Sequence, residues 1–281
     1  MRGPGGVMLH CAGKRAGKTI DRVLRLSQPC GVSMGQMTRP VATFRFYEEL
    51  NDFLPEPQRK RDLAIEIDRS RSVKDAIESA GIPHPEVDLI VVDGKSVGFG
   101  HLLRGGERVA VYPMFEALDI APIVRLRPRP LRDPRFVADG HLGKLARHLR
   151  MAGFDTLCDR AWDDDRIVEL AALERRTILT RDKGMLRRSE VERGYFVRAT
   201  QSEEQLREVI GALQLEGSLA PFTRCRECNA ILQDVARESV VDRIPPKVRD
   251  LYERFRRCPG CERVYWEGSH FVRMKGLIDT L

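Results

Sequence analysis

A chain of 281 residues is long enough for about two average domains. Charged residues make up 32% and apolar residues 42%, and no apolar run approaches the roughly 18 residues that span a bilayer, which excludes a helical membrane protein and a disordered chain. The net charge of +7 is uneven: residues 1–40 carry +6, 41–131 carry −2, 132–220 carry 0 and 221–281 carry +3, so the total by itself marks no basic binding face.

The first 40 residues form a basic tail that is expected to be disordered. It reads either as a transit peptide or as sequence upstream of a translation start at Met34 or Met37. Within it, Ala12–Thr19 (AGKRAGKT) matches a loose phosphate-loop pattern. That loop needs a buried strand before it and its own parallel sheet after it, and this stretch runs instead into Pro29, so it does not support nucleotide binding.

From Val41 the pattern becomes regular. VATFRFYEEL and LAIEID alternate like strands, SVKDAIESAGI is a short amphipathic helix closed by Gly81, VDLIVVDGKSV carries a hairpin signal at Asp93-Gly94, and ERVAVYP follows Gly105-Gly106. Residues 41–120 thus read as an α+β β-grasp domain. Pro122, Pro128, Pro130 and Pro134 make 121–134 an extended linker. Its arginines (Arg125, Arg127, Arg129, Arg132, with Arg135 just beyond) either stay solvated or grip phosphates.

Beyond the linker, the strands FVAD, DTLCD, TILTRD and GYFVRA alternate with the helices HLGKLARHLRMAGF, DDDRIVELAALE and SEEQLREVIGAL. Such alternation predicts a parallel α/β sheet over residues 135–218. Residues 219–281 hold two Cys-x-x-Cys pairs, a helix-like PPKVRDLYERFRR between them and an aromatic strand RVYW, too little to form a core unaided.

Cys225, Cys228, Cys258 and Cys261 offer four thiolates with the spacing of a tetrahedral Zn²⁺ site, structural because no coordination position stays open. With Cys11, Cys30 and Cys158 unpaired, a reducing cytoplasm is expected. Tyr265, Trp266 and His270 beside the second pair either stack on bases or pack over the metal.

Asp139 ends the first strand of the parallel sheet and Asp182 follows the third, so both belong at the carboxyl edge, where ligands bind in such folds. Asp164 opens a helix that could aim a third carboxylate there. Converging carboxylates repel unless a divalent cation neutralises them, and oxygen ligands suit Mg²⁺ or Mn²⁺ and phosphodiester hydrolysis. Taken singly, the same residues also suit a helix N-cap (Asp164), a turn (Asp139-Gly140) and a loop (Asp182). Lys144, Arg147 and His148 on one helix face, and Arg181 and Lys183 around Asp182, could hold a phosphate backbone or merely face solvent.

Together FVADGHLGKLARHLRMAGFDT, DDDRIVELA, ILTRD and CxxC…CPGC with RVYWEGSH resemble the Mut-seven C-terminal RNase domain. That resemblance implies a PIN-like α/β domain with an appended zinc ribbon, preceded by a ubiquitin-like β-grasp domain, and covers about residues 41–281. It implies a metal-dependent ribonuclease with acidic positions on Asp139, Asp164 and Asp182. One departure from typical PIN domains is the lack of a fourth acid after the last strand, where only Glu203 and Glu204 are offered. Sulfur-carrier chemistry would need a free C-terminal Gly-Gly, whereas Gly105-Gly106 is internal, so the β-grasp domain is left a binding or positioning role, with RNA or a protein partner. The expectation is a cytoplasmic Mg²⁺/Mn²⁺-dependent RNase whose zinc ribbon closes the C-terminal side; the alternative is a non-catalytic adaptor that binds RNA or protein.

Overall fold

The computed structural model describes residues 39–68, 71–113, 126 and 134–280, without the His270 side chain. The basic tail with its phosphate-loop-like stretch, Cys11 and Cys30, and the linker arginines Arg125, Arg127, Arg129 and Arg132 lie outside the described residues.

The first part contains β1 (Val41–Phe46), β2 (Asp62–Glu66), β3 (Arg71–Ser72), α1 (Val73–Ser79), β4 (Val87–Val92), β5 (Lys95–Val97), β6 (Leu102–Leu103) and β7 (Arg108–Pro113). Five strands form a mixed sheet in the order β2-β1-β7-β4-β5, in which β1 and β7 run parallel. Alternation does the sorting: Ala42, Phe44 and Phe46 face a core shared with Ile77 of α1, Ile90, Val109 and Val111. The Ser72 hydroxyl caps α1 by accepting from the Asp75 amide at 3.1 Å. Asp93 and Gly94 both have positive φ (47° and 81°), the backbone of a two-residue hairpin turn. β1 stops at Phe46, earlier than its pattern suggests, because Glu48–Phe53 winds into a 3₁₀ turn that buries Leu50 and Phe53.

The second part holds β8 (Arg135–Ala138), α2 (Gly143–Met151), β9 (Asp155–Leu157), α3 (Asp164–Glu174), β10 (Thr177–Thr180), α4 (Lys183–Leu186), β11 (Gly194–Phe196) and α5 (Ser202–Ala212). Its four strands are all parallel, in the order β11-β10-β8-β9. Phe136 and Ala138 pack with α2 and α5, whereas Val137 packs with α3 and α4, so each face of the sheet is covered by its own helices. From β8 the chain moves to one side through α2 and then to the other through α3. The carboxyl ends of β8 and β10 therefore flank a topological switch point.

The last part contains β12 (Gln233–Val235), α6 (Pro246–Leu251), β13 (Phe255–Arg257), β14 (Val264–Trp266) and α7 (Ser269–Ile278). Here the helix expected across PPKVRDLYERFRR ends at Leu251: Tyr252 is extended, and Phe255–Arg257 becomes the central strand of the β12-β13-β14 sheet, burying Phe255. α7 has no counterpart among the sequence expectations; it returns to the core of the parallel-sheet part through Met274, Leu277 and Ile278. The α/β class expected from the sequence holds, with a parallel-sheet domain, a β-rich domain before it and a four-cysteine cluster after it. Among the described residues no helix is long and apolar enough to cross a membrane.

Candidate active site and metal centre

Asp139 and Asp182 follow the carboxyl ends of the two central strands, and Asp164 occupies the first turn of α3. Each of the first two spends one carboxylate oxygen on local backbone. Asp139 Oδ1 accepts from the His141 amide at 3.2 Å, and Asp182 Oδ1 accepts from Gly184 at 2.6 Å. The N-cap of α3 is Asp163, which accepts from Arg166 at 2.9 Å, so Asp164 is not committed to capping. Lost hydration, then repulsion from Asp182 and Asp139, raise the Asp164 carboxyl above its usual range. The three charges thus act on one another. As placed, the three are not gathered closely enough to hold one ion together; among the described residues only the four cysteines form such a group.

One residue unnoticed in the sequence ties two of these acids together. Thr180, fully buried at the end of β10, donates its hydroxyl to Asp139 Oδ2 at 3.0 Å and accepts from the Asp182 amide at 3.0 Å. A second is Arg160: the loop after β9 comes so close to the Asp139-Gly140 turn that a Cβ on Gly140 would lie 3.0 Å from Arg160 Cα. The exposed Arg160 therefore stands beside the acidic edge.

Of the cations singled out for substrate binding, Lys144 is exposed on α2 with no partner among the described residues. Arg147 pairs with Glu227 at 3.3 Å, and the half-buried His148 donates Nδ1–H to the Ser202 carbonyl at 3.2 Å. Arg181 donates to the carbonyls of Arg198 and Ala199. Lys183 places its ammonium 4.9 Å from the centre of the Phe53 ring and 5.4 Å from that of Phe196. Burial, then the nearby Arg187, Arg198 and Arg59, lower the Lys183 pKa. Of the acids after the last strand, Glu203 and Glu204 are exposed on the first turn of α5, and Glu208, not singled out in the sequence, is occupied by the Tyr195 hydroxyl and the amides of Arg198 and Ala199.

These contacts also join the two α/β parts. Arg198 bonds to Asp52 at 3.1 Å and to Glu86 at 3.3 Å, and Glu86 accepts from the Phe196 amide as well. His84 Nε2 reaches the Val191 carbonyl at 3.0 Å, Arg187 reaches the Gly81 carbonyl at 2.8 Å, and Phe53 meets Phe196 edge-on with ring centres 5.4 Å apart. Nothing in the sequence pattern pairs residues more than a hundred positions apart.

In the last part, Cys225 and Cys258 each begin a tight turn of the same build. The amides of Asn229 and Glu262 return to the Cys225 and Cys258 carbonyls at 2.9 Å, and both residues have positive φ. The four Sγ atoms lie within 4.8 Å of one another, near the spacing of about 3.8 Å in a zinc–thiolate tetrahedron with 2.3 Å bonds, so the donor set fits Zn²⁺. Burial would raise the Cys225 thiol, but hydrogen bonds from the Tyr265 hydroxyl and from backbone amides outweigh it and bring it to about 7. Tyr265 therefore supports a metal thiolate in this fold. The first turn is fastened to the amino end of β9, where Asn229 bonds Thr156 and Asp155 and the buried Arg150 bonds the carbonyls of Thr156, Arg226 and Glu227. That attachment is at the end of the strand opposite to the aspartates.

A family model described as the Mut7-C RNAse domain matches residues 134–278, more than half of the chain. The chain belongs to the Mut7-C RNAse domain family. A second model, Mut7-C ubiquitin, matches residues 39–119. No curated protein and no solved structure matches the chain. In this Mut7-C chain the three aspartates, Thr180 and all four cysteines fall in the RNAse match, and Asp52, Phe53 and Glu86 fall in the ubiquitin match.

Proposed function

We propose that this Mut7-C protein is a metal-dependent ribonuclease in which Asp139, Asp164 and Asp182 hold Mg²⁺ or Mn²⁺. The observation that supports the reading is that Asp139 and Asp182 follow the two central strands with Thr180 bonded to both, while burial, then repulsion from Asp182 and Asp139, raise Asp164. A divalent ion bound there supplies charge neutralisation and a water of lowered pKa for in-line phosphodiester hydrolysis. Asp139 is oriented by Thr180 and the His141 amide, Asp182 by Gly184, and both keep carboxylate capacity for an ion. Lys144 and Arg160 stand free to meet the substrate phosphates, while Arg147, Arg181 and Lys183 combine that role with the contacts they already make. The ribbon cysteines hold structural Zn²⁺. The same reading divides the chain at 1–40, 41–120, 121–134, 135–218 and 219–281 into tail, ubiquitin-like domain, linker, nuclease and ribbon, in a cytoplasmic protein.

The test is cleavage of end-labelled single-stranded RNA, with a DNA control, by the full chain in Mn²⁺ or EDTA, beside Asp139→Asn and Asp182→Asn at equal zinc content. Metal-dependent cleavage lost in both variants supports the carboxylate site, and the fragment pattern distinguishes endo- from exonucleolytic action. RNA bound by the parent yet not cleaved under any of these conditions would select the adaptor instead.

A further inference from the structure

The nuclease segment has no net charge, and its flanking cations Arg181 and Lys183 already make internal contacts, so further backbone affinity for RNA has to be found beside the acidic edge. Immediately across the seam lies the run Arg59-Lys60-Arg61 on an exposed turn of the ubiquitin-like domain. The turn is built rather than loose. Buried Asn51 donates to the Phe46 and Glu48 carbonyls, both at 3.0 Å, and its Oδ1 accepts from the Lys60 amide at 2.7 Å, holding Lys60 at φ +55°.

The geometry also links this turn to the nuclease. Arg59 Nε donates to the Leu54 carbonyl at 3.0 Å, and the neighbouring Phe53 ring carries the Lys183 ammonium. Arg187, at the end of α4, reaches across to Gly81, and a Cβ on that glycine would lie 3.5 Å from the guanidinium and 3.7 Å from the Phe53 carbonyl. Arg59, Lys183 and Arg187 thus surround one short segment, Phe53-Leu54. Lys60 and Arg61 have no side-chain partner among the described residues. Of the nearby acids, Asp52 is taken by Arg198 and Asp62, directly after the run, by Arg45 and Arg108, while Glu56 lies on the turn itself.

We propose that Arg59, Lys60 and Arg61 of the ubiquitin-like domain, continued by Lys183 and Arg187 of the nuclease domain, form one binding surface for the phosphate backbone of single-stranded RNA that leads to the Asp182 edge. This rests on the ribonuclease reading for the identity of the ligand. No aromatic side chain is presented by the basic run itself, so contact is to phosphates and carries no base specificity. The ubiquitin-like domain then acts as a docked substrate-binding wall of the nuclease.

The experiment measures binding of fluorescein-labelled single-stranded RNA to the zinc-loaded full chain in EDTA over a series of salt concentrations. The Arg59→Ala/Lys60→Ala/Arg61→Ala variant is compared with Lys95→Ala/Arg104→Ala, two exposed cations at the starts of β5 and of the turn after β6. Each phosphate contact on a single strand contributes about 0.7 to the salt slope, so the triple variant should lose about 2 from the slope and bind roughly tenfold or more weakly at moderate salt. Its cleavage should show a raised KM and an unchanged kcat. Unchanged affinity and slope, or an equal loss in the Lys95/Arg104 control, overturns the proposal. If the parent binds RNA and the triple variant does not, but neither cleaves with Mn²⁺, the nuclease reading falls and the surface stands. Equal cleavage with equal KM does the reverse, and a parent that neither binds nor cleaves RNA removes both.

Discussion

Thr180→Val should weaken both the fold and the acidic edge, and the structure gives the size of the effect. Valine keeps the shape of a fully buried side chain while removing a hydroxyl that donates to Asp139 Oδ2 and accepts from the Asp182 amide, each at 3.0 Å. A hydrogen bond to a charged group is worth about 1.5–3 kcal/mol and a neutral one about 1 kcal/mol. Asp139 is only half-buried, so water recovers part of the first, and the net loss is about 2–3 kcal/mol. In a unit of this size, about 1 kcal/mol shifts Tm by about 2–4 °C, which places the fall at about 4–12 °C. Thr180→Ser is the comparison, because it keeps the hydroxyl and loses one buried methyl group, worth about 1 kcal/mol. Scanning calorimetry of the zinc-loaded chains gives the order wild type, Ser, Val, and Mn²⁺ titration should follow that order as Asp139 and Asp182 lose their shared anchor. A Val variant as stable as the Ser variant, with equal Mn²⁺ affinity, would refute the bridging role.

Three other perturbations separate the remaining contacts. Arg198→Ala removes the cation beside Glu86, which is only 3% exposed but keeps the Phe196 amide, and should cost about 1.5–3 kcal/mol in urea unfolding; a loss below about 0.5 kcal/mol would mean the seam is not held by this pair. Stripping zinc with a chelator should release the Val240, Ile244 and Phe255 core, seen as red-shifted Trp266 emission in a Trp162→Phe background, and an unmoved spectrum would show that the ribbon core stands without metal. Burial holds the His148 pKa below its ordinary value, so the unfolded chain takes up a proton first as the pH falls. Stability should decline from about pH 6.5 downward, by at most about 1.4 kcal/mol per pH unit for one proton, and His148→Gln should remove that component; an identical pH profile in the variant would assign the loss to other groups.

What the sequence makes legible is what short-range pattern encodes. Phe136-Val137-Ala138 is apolar on both sides because helices cover both faces of a parallel sheet, and a strand so recognised places Asp139 at its carboxyl end with no further information. The paired cysteines are equally local. Thr180 is hidden for the same reason: a β-branched residue in TILT satisfies strand propensity, and its second task depends on where Asp139 lies forty-one positions earlier. Phe255-Arg256-Arg257 continues a helical pattern in the sequence, yet forms a strand because only hydrogen bonds to β12 and β14 close the small ribbon sheet. The apolar face of α7 is visible only once α2 and α5 supply a core for Met274 and Leu277 to enter.

Charge shows the same divide with a functional consequence. Counting places the surplus in the N-terminal tail and leaves the nuclease segment neutral, although Arg181 and Lys183 flank Asp182 in the sequence. Folding changes what those cations are: Arg181 spends its guanidinium on the 198–199 backbone and Lys183 lies against Phe53, so both become parts of the seam. Because that seam is held by Arg198 on Glu86 and Asp52, a basic run from a segment with a net charge of −2 is fixed next to Lys183. Local field, set by which side chains folding brings together within a Debye length, outweighs the sum over a segment. A domain that is acidic by count can therefore present its basic face to the substrate, provided it is docked in one orientation, which Arg198 holds together with the His84–Val191, Arg187–Gly81 and Phe53–Phe196 contacts.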